Sequence, residues 1–302
     1  MTIGLRIDVD TFRGTRDGVP RLLTTLRRHR VRGTWYWTVG PDNMGRHVRR
    51  MLRPAFALKM LRSGAPSLYG WDIILRGTLW PGPVISHHLA DTIRMPHLEG
   101  HESGVHAWDH HRWQVGVDSL PDSALDTDLA RATDALGSVL RQAPHTAAAP
   151  GWRFSERLLG LPSSRAFRYR SDCRGRCSPL QPRMPASAAG LVQPQVPVDL
   201  PTYDEGVGRG AGADAAWNDQ LLRLISDGAP HVLTIHAESE GGSKAALFED
   251  FLARAIAQGH SFEPLGEWLA RHSCDPLPTC ALVPGQVPGR EGWLCVRGDV
   301  TE

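Results

Sequence analysis

The sequence predicts an α/β fold in the form of a distorted βα barrel, and three observations favour it. Short apolar runs alternate with helical patterns along most of the 302 residues, which is typical of βα units and a mainly parallel sheet. At least six such units follow one another without an internal repeat. The chain shows no linker before about residue 272, so we expect one domain over residues 1–272.

The strands are predicted where short apolar runs are rich in aromatic or β-branched residues. They cover residues 3–9, 34–39, 102–106, 146–149, 168–170 and 231–235. The helices are predicted where apolar residues recur with a helical period, as Leu125, Leu129 and Leu136 do. They cover residues 17–29, 122–142, 217–226, 245–257 and 265–271. Residues 273–302 contain much Pro and Gly, and we expect an irregular C-terminal tail packed on the domain.

Composition indicates a globular protein of the cytoplasm. Apolar residues make up 41% of the chain and charged residues 22%, with a formal net charge of +2. No run approaches the roughly 20 apolar residues of a membrane span, and charged residues begin at position 6, which argues against a secretion signal. The five cysteines form no regular framework, so we expect reduced thiols. No nucleic-acid partner is predicted.

Residues 41–80 are too long for an ordinary connection between a strand and the next helix. Seven basic residues stand there against two aspartates, an excess of +5 that leaves −3 for the remainder of the chain. Apolar residues recur at helical spacing between 44 and 56, with arginines on the other side. Such a stretch is typical of a helix on a membrane surface, and a solvated helix packed on the barrel stays open as the alternative.

The stretch GVHAWDHHRW, residues 104–113, contains the first candidate metal ligands. His106 and His110 are four residues apart, and one helical turn or a tight loop can direct both imidazoles at one ion. His111 would diverge from His106 by about 140° on a helix, so His110 is the better candidate. A pair of surface histidines is the alternative that this stretch leaves open.

Two carboxylates at the end of the first predicted strand offer a further ligand. Asp8 and Asp10, in RIDVDT, would repel each other unless a cation or a proton lay between them. Hydrolytic metal sites commonly have three protein ligands and an open position for water. One aspartate can therefore bind the ion while the other, with a modestly raised pKa, takes a proton from water. A helix cap combined with a salt bridge is the structural alternative.

His236, at the end of the strand in HVLTIHAE, is a candidate acid. The carboxyl ends of the strands form the active face of a βα barrel. A histidine there could protonate a departing amine when water attacks an amide carbonyl. A purely structural histidine at a strand end is the alternative.

Two rival chemistries use parts of this pattern. Haloacid-dehalogenase-type phosphatases carry Asp-x-Asp-x-Thr/Val after the first strand, but here threonine stands fourth and Phe12 fifth, and that chemistry does not use the histidine pair. Two histidines with one carboxylate also form the iron site of non-haem oxygenases. Those enzymes usually have a double-stranded β-helix rather than a βα pattern. A non-catalytic binding module also stays open.

These motifs, in this order, resemble the polysaccharide deacetylase superfamily, also called the NodB-homology family. Its pattern is an Asp pair after the first strand, His-x-x-x-His, a Pro/aromatic/Arg wall, an Asp motif and a late Leu-x-Ile-His. The corresponding segments of this chain are RIDVD (6–10), HAWDH (106–110), PGWR (150–153), YRSDC (169–173) and LTIH (233–236). The resemblance implies a distorted (β/α)7-type barrel, one divalent metal ion and hydrolysis of an N-acyl amino sugar.

The resemblance also implies residue roles. Asp10, His106 and His110 would bind the metal, Asp8 would be the base and His236 the acid. Many relatives have adjacent aspartates, whereas this chain has the separated Asp-x-Asp form. Such a ligand set suits Zn²⁺, Co²⁺ or Mn²⁺ without selecting among them.

Three further residues are implied to bind substrate or support the site. These are Trp152 and Arg153 in the wall motif and Asp172 in the Asp motif. Arg153 departs from the family pattern because it follows Trp152 instead of preceding the proline.

Longer strings extend the resemblance to one branch of the family, the deformylases of a formamido sugar carried on undecaprenyl phosphate. They span residues 5–294 and read LRIDVDTFRGTRDGVPRLL, VGPDNMGRH, SLYGWDI, HAWDHHRWQ, SDCRG, LPTYDE, TIHAE and GREGWL. VGPDNMGRH is not part of the general family pattern.

The longer resemblance implies removal of formate from 4-deoxy-4-formamido-L-arabinose linked to undecaprenyl phosphate. It places the enzyme at the cytoplasmic face of the inner membrane, in lipid A modification and polymyxin resistance. A membrane-surface role of residues 41–80, in contact with lipids of that membrane, fits such a substrate. Deacetylation of another N-acyl amino sugar is the alternative.

Overall fold

The computed structural model describes residues 1–47, 82–206, 213–290 and 292–298. The predicted insertion at 41–80 therefore lies outside the described residues from position 48 onward. Within the described ranges, no helix combines the length and the apolar character needed to cross a bilayer.

The strands occur where the sequence predicts them, with ends that differ by up to two residues, and several short strands are added. In chain order they are β1 (Thr2–Val9), β2 (Thr34–Thr38), β3 (Glu102–Ala107), β4 (Thr146–Ala147), β5 (Tyr169–Arg170), β6 (Gln181–Pro182), β7 (His231–His236), β8 (Ser261–Glu263), β9 (Thr279–Cys280), β10 (Leu282–Gly285) and β11 (Leu294–Arg297).

The predicted helices are also present, and the helix expected from residue 217 begins earlier, at Ala213. In chain order the helices are α1 (Val19–His29), α2 (Ile85–His88), α3 (Ala90–Leu98), α4 (His110–Gly116), α5 (Asp122–Leu140), α6 (Tyr203–Gly206), α7 (Ala213–Leu224), α8 (Ala245–Ala257) and α9 (Leu265–His272). The expectation of an irregular tail after residue 272 is wrong, because these residues contain β9, β10 and β11. Strand β9 pairs with the distant β6, a partner that local sequence cannot reveal.

The central sheet is parallel and has the order β5-β4-β3-β2-β1-β7, while β8 pairs with the first residues of β1. Residues 193–200 lie between its two outer strands. The Val196 N–H donates to the carbonyl of Arg170 in β5, and the Leu200 N–H donates to the carbonyl of Val232 in β7. A few hydrogen bonds thus replace a regular ladder between the outer strands, which agrees with the predicted distorted α/β barrel.

Strand β1 occupies the middle of the sheet and is buried along nearly its whole length. Its alternate residues Ile3, Leu5 and Ile7 are fully buried in the main apolar core, where each contributes roughly 1.5–3 kcal/mol. Because side chains alternate along a strand, Arg6 and Asp8 share the opposite face. Strand β1 therefore has a buried ionic pair, Arg6 and Asp8, near its carboxyl end.

Candidate metal centre

Asp10, His106 and His110 converge at the carboxyl ends of β1 and β3. Asp10 follows β1, His106 lies in β3, and His110 is the first residue of α4. The Nε2 atom of His106 is 3.3 Å from one carboxylate oxygen of Asp10, and the Nε2 atom of His110 is 3.4 Å from the other. One potential ligand atom from each residue lies within 4.8 Å of the others. The structure thus brings together the three residues that sequence reasoning selected as metal ligands.

Of the two arrangements that the spacing allowed, one helical turn or a tight loop, the structure has the loop. His106 is the last residue but one of β3 and His110 begins a helix, so the chain turns between the two. Asp109 makes this turn by capping α4: its Oδ1 accepts from the Arg112 N–H at 2.9 Å. Its Oδ2 accepts from the Asn43 side chain at 2.6 Å, so VGPDN also supports the His110 loop.

The geometry and charge of the cluster fit a divalent ion. The Nδ1–H of His106 donates to the carbonyl of Ala148 at 2.7 Å, which leaves the Nε2 lone pair directed toward Asp10. Asp10 Oδ1 and His110 Nδ1 are buried and make no hydrogen bond in the described part of the chain. A bound ion would satisfy the first of these atoms, because a buried polar atom without a partner is costly.

The pKa values of the ligands favour the forms that bind metals. Burial lowers the pKa of His110 to about 4, although the charge of Asp10 opposes the change, so the imidazole is neutral near pH 7. Burial raises the pKa of Asp10, but the charges of His110 and His106 outweigh it and lower the pKa overall. A carboxylate with a neutral imidazole suits Zn²⁺, Co²⁺ or Mn²⁺.

Asp8 lies beside the cluster and is held by Arg6 on the same face of β1. The Nε and Nη2 groups of Arg6 donate to the two oxygens of Asp8 at 2.8 and 2.7 Å, and its Nη1 donates to the Ser171 carbonyl at 2.5 Å. Asp8 Oδ2 is 3.8 Å from His106 Nε2. The sequence signal for Arg6 was its position two residues before Asp8, which sequence reasoning did not use.

The sequence led us to expect a raised pKa for the base, and for Asp8 this expectation is wrong. Burial does raise its pKa, but the charge of Arg6 and that of His106 outweigh burial and lower the pKa overall. A bidentate guanidinium pair favours the ionised carboxylate. Asp8 is therefore a carboxylate that can accept a proton.

His236 lies directly across from Asp8 on the neighbouring strand, because β1 and β7 pair with Asp8 opposite His236. The backbone N–H of His236 donates to Glu240 at 2.6 Å. Burial lowers the pKa of His236, but the charges of Asp10, Asp204 and Asp8 raise it overall. The register therefore places the two residues that the sequence predicts as base and acid side by side.

Glu238, two residues after His236, fixes the loop that carries Asp10. Its Oε1 accepts from the Asp10 N–H at 3.0 Å and from the N–H and hydroxyl of Thr11, both at 2.9 Å. Burial, followed by the charge of Asp10, raises the pKa of Glu238 to about 8. Sequence reasoning missed this contact, although Glu238 stands within the TIHAE string.

The three residues of the wall and Asp motifs have different positions. Trp152 is 1% exposed, with the Arg6 guanidinium 4.8 Å from its ring centre. Asp172 is fully buried and accepts from the Ala149 N–H at 2.8 Å, next to the carbonyl that fixes His106. Arg153 contacts neither Asp8 nor Asp172 but donates to Asp118 and to the Trp293 carbonyl.

Comparison with known proteins agrees with this geometry. The sequence profile of the polysaccharide deacetylase family matches residues 3–169, more than half of the chain. A probable 4-deoxy-4-formamido-L-arabinose-phosphoundecaprenol deformylase ArnD of Shewanella sediminis is 44% identical over 292 residues, which cover 97% of this chain and 93% of that protein. The protein described by the same name from Wigglesworthia glossinidia brevipalpis is 33% identical over 286 residues, which cover 94% of this chain and 98% of that protein.

A solved structure shares the fold. A crystal structure from Mycobacterium smegmatis, described as a polysaccharide deacetylase, superposes with a TM-score of 0.63 at 17% identity, covering 95% of this chain and 96% of the other. At this identity the likeness concerns the fold alone.

Proposed function

This chain belongs to the polysaccharide deacetylase family, and we propose that it removes the formyl group from 4-deoxy-4-formamido-L-arabinose linked to undecaprenyl phosphate. The reaction consumes one water and releases formate and the free amino sugar. The observation that carries the proposal is the convergence of Asp10, His106 and His110 beside Asp8 and His236.

The metal would be held by Asp10, His106 and His110. A divalent ion at this position would polarise the formyl carbonyl and make a water molecule more acidic. Asp8, which Arg6 keeps ionised and oriented, takes the proton of the attacking water. His236 donates a proton to the sugar nitrogen, so that the amide C–N bond breaks with a neutral amine as leaving group.

The lipid carrier of the substrate gives the basic segment 41–80 a role in this proposal. A sugar anchored to a polyprenyl chain reacts at the membrane plane, and each basic residue near an anionic leaflet contributes about 1 kcal/mol. The enzyme would lie on the cytoplasmic face of the inner membrane and touch its lipids. The freed amine carries positive charge, which would serve lipid A modification and resistance to polymyxin and other cationic peptides.

Hydrolysis of the lipid-linked formamido sugar by the purified protein tests the proposal. We expect formate release that a chelator abolishes and Zn²⁺, Co²⁺ or Mn²⁺ restores. An acetamido analogue competes in the same assay. Equal hydrolysis of both sugars would favour a less selective deacetylase, and full activity in excess chelator would contradict metal dependence.

A further inference from the structure

Two sequence motifs that this mechanism does not use meet beside the site. LPTYDE (200–205) and GREGWL (289–294) both lie beyond the residues that the family profile matches. Arg290 Nε donates to Glu205 at 2.5 Å, and its Nη2 donates to the Thr202 hydroxyl at 3.0 Å and to Asp204 Oδ1 at 3.3 Å. Gly289 has φ +90°, and a Cβ there would lie 2.9 Å from the Glu205 carbonyl oxygen, so glycine permits this approach.

A chain of contacts connects this junction to the base. The Arg290 guanidinium lies 4.6 Å from the ring centre of Trp152, and Arg6, which holds Asp8, lies 4.8 Å from the same ring. Burial lowers the pKa of Arg290, but the charges of Asp204, Glu205 and Asp8 raise it overall. The junction is therefore within electrostatic reach of Asp8.

The same junction reaches the acid. Burial raises the pKa of Asp204, but the charges of Arg290 and His236 lower it overall. Asp204 has many protein neighbours, yet 54% of its side chain remains accessible to solvent, compared with 17% for Arg290. The pair is thus a partly open, polar edge that adjoins Arg6 through the Trp152 ring and lies within electrostatic reach of His236.

Charge balance decides what this edge can bind. Three guanidinium groups around the Trp152 ring face three carboxylates: Arg6, Arg174 and Arg290 against Asp8, Asp204 and Glu205. No excess positive charge is left for an anion such as phosphate. Asp204 Oδ2 and Arg290 Nη1 make no hydrogen bond within the described residues, so one acceptor and one donor remain for a neutral polar ligand.

We propose that Asp204 and Arg290 form a subsite for hydroxyl groups of the substrate's sugar ring. Asp204 Oδ2 accepts from one hydroxyl, and Arg290 Nη1 donates to its neighbour. The proposal rests on the proposed function, in which the sugar has adjacent hydroxyls at carbons 2 and 3 and the formamido group at carbon 4. Holding these hydroxyls orients the amide between Asp8 and His236.

Binding of two small sugars tests the subsite without requiring turnover. The probes are methyl 4-deoxy-4-formamido-L-arabinoside and its 2,3-dideoxy analogue, titrated by ligand-observed NMR against the full chain. We expect the wild type to bind the dideoxy sugar at least about tenfold more weakly, since two hydrogen bonds to charged groups are lost. Asp204→Asn and Arg290→Lys each weaken one of these contacts and should each reduce this preference.

Asp219→Asn is the matched control, because Asp219 is 50% exposed and pairs with Arg254 as Asp204 pairs with Arg290. It should keep the wild-type preference, and melting curves should show that all variants are folded. Equal affinity of the wild type for both sugars, or no measurable binding of the parent sugar, would overturn the subsite.

Formate release from the lipid-linked substrate, measured on the same samples, tests the proposed function separately. An inactive wild type that still prefers the parent sugar contradicts the proposed reaction and leaves the subsite standing. If Asp204→Asn lowers kcat and shifts the pH profile but keeps the sugar preference, Asp204 acts through His236 and the subsite is wrong.

Discussion

At the scale of single residues, the proposed base of this site, Asp8, depends on a buried ion pair. Asp8 is 2% exposed and Arg6 is fully buried, so each would be costly to leave without its partner. Removing one member of a buried pair typically costs 3–5 kcal/mol, because the other charge stays uncompensated. The two N–H···O contacts also fix the carboxylate plane, so Arg6 is a positioning residue for the base.

Substitution of Arg6 tests this positioning role. Arg6→Lys keeps the charge but loses the paired contact, and we expect kcat to fall about tenfold or more with little change in KM. Arg6→Met should be worse and should also lower the melting temperature. The metal content of Arg6→Lys should stay near that of the wild type. If Arg6→Lys kept the wild-type kcat, Arg6 would have no positioning role.

Metal analysis of two variants distinguishes the proposed ligand His106 from the proposed acid His236. His106→Ala should lose both bound metal and activity, because it removes one of three ligands. His236→Ala should retain metal and lose about 10²–10⁴ in kcat, the usual contribution of a general acid. Metal per chain and formate release are the two measurements. Normal turnover by His236→Ala would show that the acid assignment is incorrect.

At the scale of elements, the site is assembled where strands end and loops begin. The loop after β1 carries Asp10, and its backbone is held by Glu238 from the loop after β7. Helix α4 carries His110 and is capped by Asp109. Each predicted ligand depends on a contact from another part of the chain: Glu238 for Asp10, the Ala148 carbonyl for His106, and Asn43, through Asp109, for His110. Such supporting contacts commonly change metal affinity by 10–100-fold.

Glu238 offers a direct test of this support. Glu238→Ala removes the acceptor for three donors, and we expect a metal Kd about 10–100-fold higher. Glu238→Gln keeps a carbonyl oxygen as acceptor and serves as the matched control, with a smaller change. Titration of chelator-treated protein with Zn²⁺ gives both values. Equal Kd values in Glu238→Ala and the wild type would mean that the loop carrying Asp10 keeps its conformation without Glu238.

His231 fixes the start of β7 and should make stability depend on pH. Its Nδ1 lies 2.5 Å from Asp199 and its Nε2 2.9 Å from Asp227. The titratable His260 is within electrostatic reach of His231, and burial lowers the pKa of His260. Burial lowers the pKa of His231, but both carboxylates raise it overall. A raised folded-state pKa gives stability that is complete below the unfolded value of about 6.5 and is lost as pH rises through the folded value.

His231→Gln should therefore be destabilised most below about pH 6.5. We expect a deficit of about 1–2 kcal/mol in the free energy of unfolding there, and a smaller deficit above pH 8. Urea unfolding of wild type and variant from pH 6 to 9 measures it. A deficit that stays constant over this range would mean that His231 does not titrate with folding.

At the scale of the whole molecule, the parallel sheet determines which distant segments meet. Residues 169–200 and the tail both pack near Trp152, and Arg290 reaches Glu205 from the tail. We keep as a proposal that residues 1–272 form one catalytic domain on which residues 273–302 pack. The basic segment 41–80 leaves and rejoins this body near the candidate site, since Asp42 accepts from the Phe12 N–H and Gly82 donates to Asn43.

Membrane contact by the basic segment is tested with vesicles. A variant in which Gln replaces all four of Arg46, Arg49, Arg50 and Arg53 should be released from vesicles that contain anionic lipid, since about 4 kcal/mol of attraction is lost. Binding of the wild type should weaken as salt rises. Co-sedimentation is the measurement, with neutral vesicles as control. Unchanged sedimentation of the variant would count against the membrane-surface proposal.

Local patterns in the sequence predicted the α/β fold class, and the motifs shared with the deacetylase family predicted Asp10, His106 and His110 as metal ligands. Strand and helix periods are local signals, and carboxylates and imidazoles reveal metal chemistry by residue type. Only the tertiary structure identified Arg6 as the partner of Asp8. It also revealed that Glu238 holds Asp10.

The Arg290 contact and the sheet partner of β9 were likewise decided by the tertiary structure, and so was the lowered pKa of Asp8. Such contacts join residues that lie 85 positions apart or more, and a pKa depends on every charge around a buried group. Neither is encoded in a local pattern, because both arise only when the chain packs on itself.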